Sequence, residues 1–415
     1  MHSFQMAFLI FLAVGTGIRL WLSFRQLRAM RERRNALPAG FDKALSLEEH
    51  QKASDYTAAG TRVGLWDIVI DTLLLLGWTL GGGLQWIDNL VSAFGWGPLV
   101  TGVASILAIL FVMSLLSIPL SLYRTFGVEA RFGFNKMTAG LFVGDMVKGW
   151  LVALVLAAPL LAAILWIMDA TGTYWWLYAW IVWVAFSLAI TWAYPAFIAP
   201  LFNTFSKLSD ESLISRIEAL LGRCGFQSKG IFVMDGSRRS THGNAYFTGV
   251  GNNKRIVFFD TLIDSLEPLE VEAVLAHELG HFRKKHIRSR LIWGFATGLI
   301  GLAILGFLKD QTWFYTSLGV TSMTNHMALM LFMLVIPVFT FFLTPVSAYF
   351  SRKHEFEADE YAHEQSDANA LISALGKLYK ENASTLVPDE LHSRFYDSHP
   401  PGPVRVAYLQ KLLNA

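Results

Sequence analysis

The chain is short of charge. Of its 415 residues only 16% are Asp, Glu, Lys or Arg, where an ordinary soluble protein has about 25%. The deficit, set beside 53% hydrophobic residues, excludes a simple soluble globule and indicates a polytopic membrane protein. Cysteine is almost missing: with Cys224 alone no disulfide can form within the chain, and this lone thiol reads as inert packing. The balance of 34 basic against 32 acidic residues leaves a net charge of +2, so nothing points to nucleic acid. There is no internal repeat and no low-complexity segment.

Long apolar runs take the place of charge. Segments near the roughly 20 residues that cross a bilayer cover residues 6–24, 65–80, 99–122, 150–168, 176–199, 291–308 and 327–349. The second is the weakest, because Asp67 and Asp71 lie within it and Gly81 to Gly83 end it. The first lacks the basic n-region of a signal peptide and is followed by Arg25, Arg28, Arg31, Arg33 and Arg34, which make it an anchor with its C-terminal end in the cytoplasm. Alternation then fits the connections. Those at 81–98 and 169–174 carry no Lys or Arg, the one between them carries Arg124, Arg131 and Lys136, and the last two spans are joined through Lys309 alone. The expected topology is seven helices, an outside N-terminus and a cytoplasmic C-terminus. Asp67, Asp71, Asp145 and Lys148 lie in or at the ends of spans, where ionisable groups face a cavity or a partner.

The expected division is residues 1–200, five spans and their loops; 201–290, a cytoplasmic part; 291–350, two further spans; and 351–415, a cytoplasmic tail. The 201–290 part begins with an amphipathic helix at 209–221, with Asp210 and Glu211 in its first turn and Gly222 past its end. Strands follow at 230–234, 244–248 and 254–260, and Gly251-Asn252-Asn253 supplies a hairpin turn. Next comes a helical pattern through Leu269, Val271, Val274 and Leu275 that runs into His277-Glu278-Leu279-Gly280-His281.

On a helix, positions four apart share a face, so His277 and His281 can present two imidazoles to one metal. Glu278, one residue round, reaches a water there, which implies metal-assisted hydrolysis. HExxH fixes only three positions, and chance supplies it in about one such chain in a hundred; the helical pattern before it lowers that figure. Phe282 to Arg290, FRKKHIRSR, places this helix at the cytoplasmic membrane surface, near or continuous with the sixth span, and His286 within it reads as an interfacial side chain. Zinc in a hydrolase takes three protein ligands. The tail offers His354, Glu355, Glu357, Glu360 and His363 for the third, and spacing does not choose among them. Glu355 and Asp359 share a helix face, so one could bind metal while the other holds a ligand imidazole from behind.

HELGH at 277–281, EFEAD at 355–359, NAYFTG at 244–249, KRIVFFDTL at 254–262 and SHPPGPVR at 398–405 together resemble the type I CAAX prenyl endopeptidases, multi-spanning zinc metallopeptidases of the gluzincin type. The resemblance covers nearly the whole chain. It implies a mainly α fold, seven transmembrane helices forming a barrel around a chamber, with a cytoplasmic zincin-like peptidase domain carrying a small β-sheet. It implies one Zn2+ per chain on His277, His281 and Glu355, with Asp359 behind them and Glu278 as general base. It further implies that Asn244 holds the substrate backbone and that His399 and Arg405 act beside the metal in catalysis. Implied substrates are prenylated CAAX peptides and misfolded membrane proteins, and the lipid bilayer is the other partner. The chain lacks the long extra cytosolic segment of eukaryotic members, which leans toward a bacterial inner-membrane enzyme; a eukaryotic one would lie in the endoplasmic reticulum.

Two rival readings do less well. A transporter or channel would suit seven spans with internal carboxylates but leaves HELGH, EFEAD and HPP without a role. A protease cutting inside the bilayer would bury its HExxH helix in an apolar span, whereas Arg283, Lys284, Lys285 and Arg288 flank this one.

Overall fold

The structure, a computed structural model, describes residues 2–38, 41, 45–248 and 255–414. The Gly251-Asn252-Asn253 turn lies outside the described residues. Among the described residues six helices are long and apolar enough to cross a membrane, or seven if one bent pair counts as a span. The first five expected apolar runs fall on α1 (Ser3–Arg33), α2 (Leu47–Trp78), α4 (Pro98–Leu122), α5 (Ala139–Ala170) and α6 (Trp175–Ala193), the runs at 65–80 and 176–199 extending past the ends of α2 and α6, the latter into a π-helical turn at Tyr194–Ile198. The bent pair is α2 with α3 (Gly83–Ser92), at 51° to each other. Gly82 at the bend has φ of +76°, and a β-carbon on Gly81 would meet the Gly77 carbonyl oxygen at 2.7 Å. The glycines that weaken this span in the sequence are therefore the residues that let it turn.

The spans pack as a closed ring: α1 on α2, α2 on α3, α3 on α4, α4 on α5, α5 on α6, α6 on α9 (His286–Leu308), α9 on α10 (Asn325–Thr340), and α10 back on α1. Their exposed faces carry Leu73, Val155, Ile300 and Phe307, the residue types lipid would cover. Of the four charges within spans, three are partnered. Asp67 pairs with Arg124 at 2.5 Å, Asp145 takes a two-bond contact from Arg239, and the Lys148 ammonium donates to the Leu201 carbonyl at 3.0 Å. Asp71 instead lines a cavity of about 220 Å³ together with Arg19 and Thr16.

Below the ring is a four-stranded mixed sheet in the order β1-β2-β4-β3. Strands β2 (Ile231–Met234), β3 (Ala245–Thr248) and β4 (Arg255–Phe259) match the expected runs, with β2 and β4 parallel and β3 and β4 antiparallel. The short β1 (Phe205–Lys207), antiparallel to β2, has no strong signal in its FSK sequence. Helix α7 (Glu211–Arg223) starts from Asp210, whose side chain accepts from the Leu213 amide, so Asp210 caps the helix. Helix α8 (Pro268–Arg283) has a reciprocal Glu267–Glu270 cap and proline at its first position. It packs on the sheet around Ile256, Phe258, Val271 and Leu275, all 1% exposed or less. The chain closes with α11 (Thr344–Gln365), α12 (Ala368–Glu381), α13 (Glu390–Tyr396) and α14 (Gly402–Leu413).

Helix α8 does not run on into the sixth span. It stops at Arg283, and Lys285 takes a left-handed conformation, φ 61° and ψ 28°, before α9 begins at His286. The seventh span does continue: α10, a 3-10 turn at Phe341–Leu343 and α11 form one apolar-to-polar run from Asn325 to Gln365.

Candidate metal centre

Helices α8 and α11 carry the two halves of the HELGH and EFEAD pair and lie in close contact along their length. Gly280, the glycine of HELGH, makes this possible. A β-carbon there would stand 2.9 Å from the Ala358 α-carbon and 3.0 Å from its carbonyl oxygen, backbone that has nowhere to go. The small residues Gly280 and Ala358 thus set the spacing at which ligands on the two helices meet.

His277, His281 and Glu355 each bring one ligand atom into a group whose atoms all lie within 4.8 Å of one another. The His277 and His281 Nε2 atoms are 3.3 Å apart, and the Glu355 carboxylate is 3.4 Å from the first and 3.2 Å from the second. Of the five tail residues that could supply a third ligand, Glu355 alone joins this group, and it is only 3% exposed.

The donor set fits a cation. Asp359, wholly buried, lies 2.8 Å from His277 Nδ1, so in the neutral ring the imidazole proton stands there and Nε2 presents a lone pair. Lone pairs and a carboxylate therefore converge, and Glu355 Oε2 has no hydrogen-bond partner among the described residues. Arg405, 7% exposed, donates from Nε and Nη2 to the two oxygens of Asp359 at 2.9 and 2.6 Å. Its Nη2 is 3.3 Å from His277 Nδ1 because both donate to the same carboxylate oxygen, not to each other. Nη1 is 3.7 Å from Glu355 Oε2. Burial works against the guanidinium charge, but Asp359 outweighs it and raises the pKa above the ordinary arginine value.

Burial and Arg405 likewise push the His277 imidazole down, yet Asp359 and Glu355 prevail and raise it to about 9. A metal must displace that proton. Metal affinity is therefore expected to rise about tenfold per pH unit through the neutral range and to level off above a pH of about 9. Chelator competition at a series of pH values reads this; an affinity flat across the neutral range contradicts it.

His277, Glu278, Asn244, His399 and Arg405 line one cavity of about 360 Å³. Glu278 makes no hydrogen bond with any described residue. Asn244 immediately precedes β3, the edge strand, and its side-chain oxygen accepts from the Ala245 amide at 2.8 Å. His399 has Nε2 3.4 Å from Glu355 Oε1, and its side chain is 62% exposed to the cavity mouth. A second cavity of about 700 Å³ shares Tyr379, Asn382, Ser384 and His399 with the first and extends to Thr57 and Thr61 of α2 and Arg124 after α4.

His286 is where sequence reasoning failed. It is not an interfacial side chain: it is 2% exposed, with Nδ1 3.0 Å from His281 Nδ1 and Nε2 2.8 Å from Glu357. Its basic neighbours suggest a surface, and only the left-handed Lys285 turns the ring inward.

Comparison with known proteins agrees along the whole length. Residues 26–204 match the family described as CAAX prenyl protease N-terminal, five membrane helices, and residues 207–413 match peptidase family M48. The chain is 39% identical over 289 residues to CAAX prenyl protease 1 homolog of Arabidopsis thaliana, across 68% of this chain and 67% of that protein. It is 30% identical over 427 residues to CAAX prenyl protease 1 homolog of Caenorhabditis elegans, across 95% and 96%. The crystal structure of S. mikatae Ste24p superposes with a TM-score of 0.92 at 29% identity, covering 99% of each chain.

Proposed function

Because this chain belongs to peptidase family M48 and carries the membrane domain of the CAAX prenyl proteases, it is a multi-pass membrane zinc metalloprotease; we propose that it cuts prenylated CAAX-type peptides. The observation that supports this most is the pair of adjoining cavities. One is lined by His277 and Glu278, and the other, of about 700 Å³, adjoins it against Gln26, Thr57, Thr61 and Arg124, next to the ends of the apolar runs of α1, α2 and α4, where an isoprenoid chain would find room beside a peptide. Misfolded membrane proteins would enter the same way, and they are the better substrate if the source is a bacterial inner membrane.

His277, His281 and Glu355 would hold one zinc ion. Bound there, zinc supplies a Lewis acid that lowers the pKa of a water and polarises the scissile carbonyl. Glu278 takes the water's proton and returns it to the leaving amine. An extended substrate pairs with the free edge of β3, giving backbone affinity with little sequence preference, and Asn244 holds its main chain where the strand begins. His399, at the cavity mouth and beside Glu355, donates to the oxygen on which negative charge develops. Arg405, buried behind Asp359, acts mainly by keeping that carboxylate and the His277 ring in place.

The site is assigned to the cytoplasmic side. The arginine-rich end of α1 meets the tail there: Arg25 pairs with Asp389 at 2.9 Å and Arg33 donates to the Pro388 carbonyl at 2.9 Å. The test is cleavage by purified protein of a farnesylated CAAX peptide beside its unprenylated twin. Preference for the first supports prenyl processing, equal cleavage favours quality control, and cleavage of neither overturns both.

A further inference from the structure

The two metal-side histidines are backed differently. His277 meets a carboxylate directly through Asp359, whereas His281 meets another histidine, and that histidine meets a carboxylate. Protons along this second chain are fixed by its far end. A carboxylate only accepts, so the 2.8 Å contact with Glu357 requires the proton of His286 on Nε2. The Nδ1 of a neutral His286 is then an acceptor, and the 3.0 Å contact requires a proton on His281 Nδ1. That leaves the Nε2 of His281 bare, 3.3 Å from His277 Nε2 and 3.2 Å from Glu355.

The backbone is bent to build this chain. Five residues along an unbroken helix would carry His286 about 140° round from His281. Lys285, one of only two non-glycine described residues with positive φ, breaks the helix and folds the next ring back. His354 then stacks on His286, ring centroids 4.0 Å apart and 12° from parallel, which fixes its tilt. Glu357, two residues beyond the ligand Glu355, therefore reaches the opposite ligand by way of His286.

We propose that Glu357 and His286 are positioning residues for His281, locking its tautomer and aim so that Nε2 faces the metal. The inference rests on the assignment of His277, His281 and Glu355 as the zinc ligands. Strength of metal binding, not only turnover, then depends on a half-exposed glutamate outside the ligand set.

The experiment is chelator competition for zinc on the purified full-length protein and on His281→Ala, His286→Ala, Glu357→Ala, Glu357→Gln and Glu357→Met variants. His286→Ala and Glu357→Ala should each weaken zinc binding about ten- to a hundredfold, the loss expected for partners standing behind a metal ligand. Glu357→Gln should recover most of it, since the carboxamide oxygen accepts the same hydrogen bond; Glu357→Met, which keeps the packing but has no such acceptor, should not, and recovery in Glu357→Met would overturn the relay. Cobalt-substituted His286→Ala should show a shifted visible absorption band. Wild-type zinc affinity in both alanine variants, with His281→Ala deficient, overturns the relay but leaves the ligands standing. Wild-type affinity in His281→Ala overturns the ligand assignment itself.

Discussion

Glu278→Gln lowers peptide cleavage by about a thousandfold while the protein keeps its zinc. Glutamine has the same size and stays on the same face of α8, beside His277 in the cavity of about 360 Å³. It cannot take a proton, and a positioned general base contributes roughly 10²- to 10⁴-fold. Glu278 is outside the group formed by His277, His281 and Glu355, so no ligand is removed. Zinc content and cleavage measured on one preparation therefore separate. Wild-type turnover by a zinc-loaded Glu278→Gln protein would remove Glu278 from the mechanism, and loss of both together would make it part of the metal site.

Arg405→Met has the second large effect, on stability as well as metal binding. Asp359 is 0% exposed and takes two hydrogen bonds from Arg405, so methionine leaves a buried carboxylate without its cation. Breaking a buried pair from one side costs about 3–5 kcal/mol, read as a lower thermal unfolding midpoint in detergent. The double variant Arg405→Met with Asp359→Asn should recover much of that stability, because the amide carries no charge. It should not recover zinc affinity to the same degree, since asparagine is a weaker acceptor behind His277. If Arg405→Met unfolds at the wild-type midpoint, the pair contributes nothing to the fold.

His277 and His281 were legible because their chemistry is local, four-residue spacing putting both on one helix face. Glu355 came only from the family resemblance, since nothing in the spacing of the tail separates it from His354, Glu357, Glu360 or His363, and it is the fold that groups it with the two histidines. The sequence also carried the spans: each apolar run falls on helix, and several of the helices extend well past the run, α1 as far as Arg33. What it hid depends on contacts between distant segments. Asp67 and Asp145 look alike as charges within spans, yet their arginines stand 57 and 94 residues away and could not be paired by spacing. His286 was hidden because one backbone torsion, at Lys285, decides whether that ring meets lipid headgroups or His281. The 3-residue β1 gave too little alternation to notice, and π-helical turns such as Tyr123–Glu129 have no periodicity of their own.

The unbroken run from Asn325 to Gln365 has a mechanical consequence. Glu355 rides on the polar continuation of the last span, while His277 and His281 ride on a helix tied through a tight turn to the span before it. A bilayer thinner or thicker than the apolar length makes spans tilt, and here each tilt is a lever whose short arm ends at a ligand. The ligands are thus hung from two neighbouring spans and not from one rigid body, so the distance between them is set by how those spans lie against each other.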